Sequence, residues 1–167
     1  MNKIFYLVFL FIFLLLLQVL VLSNINFLGY INPYLYISFV FFFPLKKNRF
    51  PFLITTFFMG LSVDFFLDSG GIHAFSILFI AYIRLFFVRL FFKKTEIDFL
   101  LFRLQSEPFG KVFNYVVSLT VIHHLILFSF INFSFDNISD VLLNTLFSSI
   151  FTLILYFIGS YIFTKEQ

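Results

Sequence analysis

Six long apolar segments constrain this chain more than any other feature of its sequence. Each contains 18 to 23 residues, and a helix needs about 20 residues to cross a hydrocarbon core of roughly 30 Å. The longest stretch outside them, residues 93–111, is too short for a soluble domain. The sequence therefore predicts a single-domain, all-α integral membrane protein, a bundle of six transmembrane helices. The predicted spans are 4–22, 27–45, 50–67, 72–92, 112–131 and 141–163.

The composition excludes several classes of function. Hydrophobic residues make up 62% of the chain and charged residues 11%, whereas soluble domains are about half apolar and a quarter charged. A nucleotide-binding fold, a protease domain and a nucleic-acid-binding module therefore have no place here. The chain contains no cysteine, which excludes disulfides, thiolate nucleophiles and iron–sulfur ligands. We predict no cofactor, and we expect the first span to be a retained helix rather than a cleaved signal peptide.

Lysines and arginines outside the spans predict the orientation, because cytoplasmic loops carry an excess of these residues. All nine lie on one side of a six-span arrangement, and the alternate loops 23–26, 68–71 and 132–140 contain none. The sequence thus predicts that both termini are cytoplasmic, N-in and C-in. The nine cations are Lys3, Lys46, Lys47, Arg49, Lys93, Lys94, Arg103, Lys111 and Lys165.

Two regions depart from a plain helical span. Span two contains Asn32-Pro33, and a residue before proline is pushed out of helical geometry, so we predict a broken or short helix there. Residues 93–111 place leucine and isoleucine at helical spacing between charged positions. That pattern is typical of a helix lying at the membrane interface, and the orientation above puts it on the cytoplasmic side.

Four ionisable residues inside the spans are the main candidate site. Asp64, Arg84, His123 and His124 lie in spans three, four and five, and each needs a partner within the hydrocarbon. The favoured hypothesis is a structural polar lock, in which Asp64 accepts hydrogen bonds from a span-five histidine or from Arg84. A proton relay or substrate site formed by Asp64, Arg84 and His123 is the alternative.

We predict neither a catalytic nor a metal site. His123 and His124 are adjacent, so on a helix they point about 100° apart, whereas helical zinc ligands are spaced i, i+4. Gly60 and Ala74 are predicted to let two helices approach closely, and Gly71 belongs to the tight turn between spans three and four.

A set of short motifs in residues 29–92 points to a family. The motifs are Asn32-Pro33, the basic hairpin Lys46–Arg49, Gly60-x-x-x-Asp64, Gly71-x-x-Ala74 and Tyr82. Together they resemble MreD, a rod-shape-determining protein of the bacterial cytoplasmic (inner) membrane.

This resemblance implies a non-enzymatic scaffold in the machinery that elongates the cell wall. It implies binding to an MreC-like partner and, through it, association with MreB, RodA and a class B penicillin-binding protein, besides membrane lipids. Pro33, Gly60, Asp64, Gly71 and Ala74 match the shared pattern, and we expect them to be architectural.

A transport function is the alternative. MreD-like proteins look distantly similar to the substrate-binding S-components of energy-coupling-factor vitamin transporters. Such a protein would bind a vitamin in an outward pocket near Asn32, Asp64, Asp68 and His73. The predicted outer loops have only four to nine residues and would form little pocket wall, which disfavours this alternative.

Overall fold

The computed structural model describes residues 3–25, 31–93, 104–132 and 138–165, and their regular secondary structure is helical. The prediction of an all-α chain is thus confirmed for these residues. Five helices are long and apolar enough to cross a membrane, which indicates a multi-pass membrane protein. They are α1 (Lys3–Leu20), α3 (Phe50–Leu67), α4 (Ile72–Phe92), α5 (Phe109–Ile131) and α6 (Ile138–Lys165), with the short α2 (Ser38–Phe42) between the first two.

The helices begin and end close to the predicted limits, with two informative differences. Helix α5 begins directly after Pro108, three residues before the predicted start. Helix α6 also begins three residues early and carries Asp140 in its first turn, where a negative charge is favourable. Both helices thus extend three residues beyond the predicted start of their apolar parts. The predicted interfacial helix falls mostly on residues 94–103, which lie outside the described residues.

The second predicted span is not a helix of crossing length. Residues 31–45, here called the buried segment, form a 3₁₀ turn at Leu35–Ile37 and then only the five residues of α2. Two prolines explain this. Pro33 precedes the first turn, and Pro44 forces Phe43 into an extended conformation with φ −68° and ψ 129°.

The buried segment lies inside the bundle rather than at its surface. Tyr36, Ile37 and Val40 are completely inaccessible, and the segment contacts α1, α4 and α6. Around it, α3 packs along α4, α4 along α5 and α5 along α6. The outward faces of the long helices are apolar, as at Phe65, which is 81% exposed. Such faces suit lipid, and the segment in the middle is shielded from it.

Candidate functional site

Asp64 organises the turn between α3 and α4. Its backbone carbonyl accepts hydrogen bonds from the amides of Asp68 and Ser69, which end α3. Its carboxylate accepts bonds from the amides of His73 (2.9 Å) and Ala74 (2.7 Å) in the first turn of α4, and from the Ser69 hydroxyl (2.6 Å). A carboxylate at a helix N-terminus satisfies free amides and complements the helix dipole. Asp64 therefore ends one helix and caps the next.

The same turn depends on three residues with positive φ. Asp68 ends α3 at φ 51°, and Gly70 and Gly71 follow at φ 67° and 96°. Glycine adopts these angles without the steric cost that a Cβ brings. The predicted role of Gly71 in a tight turn agrees with this geometry.

Gly60 and Ala74 lie where α3 and α4 touch. A Cβ added to Gly60 would be 2.5 Å from the Ala74 Cα and 2.8 Å from the His73 carbonyl oxygen. No side chain fits in that space without moving the backbone. The close approach holds Asp64 beside the start of α4.

A buried tyrosine joins two histidines beneath this turn. The Tyr36 hydroxyl lies 2.9 Å from His73 Nδ1 and 2.9 Å from His123 Nε2. A hydroxyl has one proton to donate, so one ring nitrogen accepts that proton and the other donates its own. Tyr36 and His123 are fully buried and His73 is 3% exposed. The cluster ties the buried segment to α4 and α5.

His124 forms a second, separate set of contacts. Its Nδ1 lies 2.8 Å from the Thr120 carbonyl oxygen, which can only accept, so Nδ1 carries a proton. Its Nε2 lies 3.1 Å from the Thr152 hydroxyl. That hydroxyl also accepts a bond from the Tyr34 amide at 3.0 Å. His124 and Thr152 thus join α5 and α6 to the buried segment.

Other polar side chains serve the backbone of the buried segment. Gln18 of α1 donates to the Pro33 carbonyl (3.1 Å) and accepts from the Tyr36 amide (3.4 Å). Ser148 of α6 accepts from the Asn32 amide at 3.3 Å. Non-helical backbone inside a membrane needs such partners, because hydrocarbon offers none. Asn32 and Pro33 therefore lie where side chains of neighbouring helices replace helical hydrogen bonds.

Arg84 serves the other end of the segment. Its Nη2 donates to the Phe43 carbonyl at 2.7 Å, and its Nε donates to the Tyr115 hydroxyl at 3.2 Å. The guanidinium carbon lies 5.0 Å from the centre of the Phe52 ring. None of these partners is a carboxylate, and the side chain is only 4% exposed.

The contacts of Asp64 differ from the predicted ones. We expected it to accept from His123, His124 or Arg84, whereas its carboxylate bonds with the turn and the first amides of α4. The histidines bond with Tyr36 and Thr152 instead. The pairing was wrong because a nearby helix start offers unpaired amides within reach, and histidines on α5 do not approach as closely.

Sequence reasoning missed Gln18 and Tyr36. One signal for Gln18 was available: between Ile4 and Leu22 it is the only side chain with an amide or a charge. Its place near the end of an apolar span, shortly before Asn32-Pro33, indicates a partner for the broken backbone. For Tyr36 no local signal exists, since its partners lie 37 and 87 residues away.

Many of these buried side chains bond with backbone groups of the buried segment or of α4. Within the described ranges, no group of three or more histidine and carboxylate side chains is placed to hold a metal ion. No family model, curated protein or solved structure matches the chain.

Proposed function

We propose that the chain crosses the membrane six times, with both termini in the cytoplasm, and that the buried segment is the second crossing. The segment runs alongside α4, because Tyr36 contacts His73 and Phe43 contacts Arg84. These two α4 residues are eleven positions apart, about 16 Å along the helix axis. The segment thus covers about half of the roughly 30 Å hydrocarbon core, although only the five residues of α2 are α-helical.

Reporter fusions test this topology. A reporter after Gln167 should report the cytoplasm, and one inserted at residues 133–137 should report the opposite side. A reporter in the 46–49 hairpin should agree with one fused at the N-terminus, because α1 and the buried segment lie between these two positions. Disagreement between them would mean that the buried segment enters and leaves on the same side.

We propose further that the chain is a non-enzymatic scaffold subunit of the bacterial cell-elongation machinery, which acts by binding an MreC-like partner. One observation carries this proposal: four residues behind the resemblance to MreD form one contiguous unit. Gly60 touches Ala74, Asp64 caps the amide of Ala74, and Gly71 precedes α4. All four lie between residues 60 and 74 of one helical hairpin, where they set how closely α3 and α4 pack.

The use of the buried polar groups supports a structural role. The carboxylate of Asp64, the amide of Gln18 and the hydroxyl of Thr152 all bond with backbone groups. These contacts fix the shape of the bundle and leave its outer, apolar faces to lipid and to partner helices. A scaffold needs a rigid shape and an outward surface, and it needs no reactive centre.

The same contacts disfavour the vitamin-binding alternative. Asp64 is 5% exposed and His73 is 3% exposed, and both carboxylate oxygens of Asp64 already accept hydrogen bonds. A ligand would have to displace the cap of α4 to reach that carboxylate. Asp64 is therefore a poor ligand-binding residue in this conformation.

Mass spectrometry of proteins that co-purify from gently solubilised native membranes tests the function. We expect an MreC-like protein, accompanied by the cell-wall synthases. Recovery of paired ATPases with a transmembrane coupling subunit would instead establish the transporter alternative, and recovery of neither set would contradict the scaffold proposal.

A matched pair of variants sharpens this experiment. Tyr82 on α4 belongs to the MreD-like motifs and is 65% exposed, while Tyr161 on α6 is 69% exposed and lies outside them. If the motif region forms the partner surface, Tyr82→Ala should reduce capture of the MreC-like protein, and Tyr161→Ala should leave it unchanged. Equal effects would place the partner elsewhere.

A further inference from the structure

A small cavity beside Arg84 has a positively charged lining. It lies between the 44–49 connection, the start of α3 and the middle of α4, and its polar lining consists of Lys46, Asn48, Arg49 and Arg84. Three of these are cations, and no lining residue is acidic. An anion is the ligand that such a lining favours.

Arg84 supplies a donor that the protein does not use. Its Nη1 is buried without a hydrogen-bond partner, although Nε and Nη2 are both bonded. A buried, unpaired donor on a cation is costly in a protein interior. The neighbouring bonds to Phe43 and Tyr115 hold the guanidinium in place, so Nη1 is preorganised for an acceptor.

The side chain of Arg49 is also held in place by its neighbours. Its Nη2 donates to the Tyr82 carbonyl at 3.1 Å, and its guanidinium lies 5.9 Å from the centre of the Tyr82 ring. Arg49 also directly precedes α3, whose N-terminal end adds a favourable potential for an anion. Two arginines and a helix start therefore converge on one cavity.

The size and surroundings of the cavity limit the ligand. The cavity is open to the surface and small, with a volume of about 20 Å³, which is room for about one water-sized group, so a single phosphate oxygen rather than a whole molecule can enter it. Exposed apolar side chains adjoin its cations: Phe50 follows Arg49, and Tyr82 contacts it, with 67% and 65% of their surfaces exposed. A small anionic group joined to an apolar tail fits both features.

We propose that this cavity binds the phosphate of an anionic phospholipid, with Arg84 Nη1 and the Arg49 guanidinium as its main donors. A phosphate oxygen enters between the 44–49 connection and α4, and the acyl chains lie along the exposed faces near Phe50 and Tyr82. Basic pockets between transmembrane helices on the cytoplasmic side bind such headgroups in general. The proposal depends on the proposed topology only for the leaflet. It shares the exposed Tyr82 with the proposed partner surface, so it is tested on the isolated protein.

Native mass spectrometry of the delipidated, full-length protein in detergent tests the proposal. Phosphatidylglycerol and phosphatidylcholine are offered at equal concentration, and bound lipid is counted for each variant. Arg89 is the matched control, because it lies on α4, is exposed and does not line the cavity.

We expect preferential retention of phosphatidylglycerol. Arg84→Gln should lower its binding about tenfold, since a charged hydrogen bond is lost. Arg49→Gln should lower binding about fivefold, and Arg89→Gln less than about twofold. If Arg84→Gln does not fold, the comparison of Arg49→Gln with Arg89→Gln decides, because Arg49 is only half-buried.

Three results would overturn the proposal. Equal losses in the Arg49 and Arg89 variants would mean that general surface charge retains the lipid. Equal binding of both lipids by the unmodified protein would mean that no anionic headgroup is selected. Full displacement of phosphatidylglycerol by millimolar inorganic phosphate would identify a soluble phosphate, rather than a lipid, as the ligand. All three results are measured on the isolated protein, so none of them changes the outcome of the partner-capture experiment.

Discussion

The two ends of the buried segment satisfy their unpaired backbone groups in different ways. Both carry backbone groups that no helix satisfies. At the amino end, uncharged side chains from two helices supply the partners, namely Gln18, Ser148 and Thr152. At the carboxyl end, a single cation, Arg84, reaches the Phe43 carbonyl.

The two kinds of partner differ in the charge and the free donors that they leave in the bundle. Several uncharged partners divide these hydrogen bonds and bring no net charge into the bundle. Ile31, Pro33 and Tyr34 at this end are buried, and Asn32 is half-buried. A buried arginine reaches far and bonds strongly, but it leaves a positive charge and a free donor behind. The amino end is therefore suited to rigidity, and the carboxyl end to binding an anion.

The largest effect should come from removing the close helix contact that supports the amino end. Gly60→Ala would place a Cβ within 2.5 Å of the Ala74 backbone, and α3 would have to move away from α4. We expect a loss of about 3 kcal/mol in the free energy of unfolding, measured by denaturant titration in detergent.

Gly159→Ala is the control for that change. Gly159 also lies in a long helix, but a Cβ there meets nothing within 4 Å. A stability close to that of the unmodified protein is expected. Equal losses in the two alanine variants would show that the α3–α4 contact is not special.

The next largest effect concerns the helix cap. Asp64→Leu removes the acceptor for two α4 amides and the Ser69 hydroxyl, and we expect a loss of about 2–3 kcal/mol. Asp68→Asn is the comparison, because Asp68 is exposed and has positive φ, which asparagine tolerates well. Indistinguishable expression levels and melting temperatures of the two variants would contradict the capping role.

The same substitution at each end compares the ends directly. Tyr36→Phe leaves two ring nitrogens without their hydroxyl partner, whereas Tyr115→Phe removes one acceptor from Arg84. Both tyrosines are fully buried. We expect losses of about 2 and about 1 kcal/mol, again from denaturant titration. The reverse order would mean that the carboxyl end is the more tightly held one.

The smallest effect should come from one hydroxyl of the amino end. Thr152→Val keeps the side-chain shape but leaves the Tyr34 amide without its acceptor and His124 Nε2 without its hydroxyl partner. We expect a loss of about 1 kcal/mol, because both contacts are longer than those of Tyr36. Thr55→Val is the control, because the Thr55 hydroxyl bonds only with carbonyls of its own helix region. A larger loss for Thr55 in the same titration would argue that internal helix bonds matter more than the bonds to the buried segment.

The helical class, most helix limits and the break in the second apolar segment could all be predicted from the amino-acid sequence. Each depends on local chemistry: runs of apolar residues long enough for a bilayer, and a proline that removes a donor and restricts its neighbour. The cations of the sequence also predict an orientation. The close α3–α4 contact could be predicted for a similar reason, because a glycine and an alanine lie on either side of a short turn.

The pairing of the buried polar groups could not be predicted from the sequence and depends on how the helices pack. Asp64 found its partners nine and ten residues away, in the next helix of its own hairpin, whereas Tyr36, Gln18 and Thr152 are joined across separate helices. Such pairings depend on how helices are rotated and shifted against one another. A hydropathy pattern specifies neither the rotation nor the shift. The surroundings of Arg84 depend on helix packing in the same way. Phe43, Tyr115 and Phe52 pack around most of its guanidinium, and this packing leaves one donor unused.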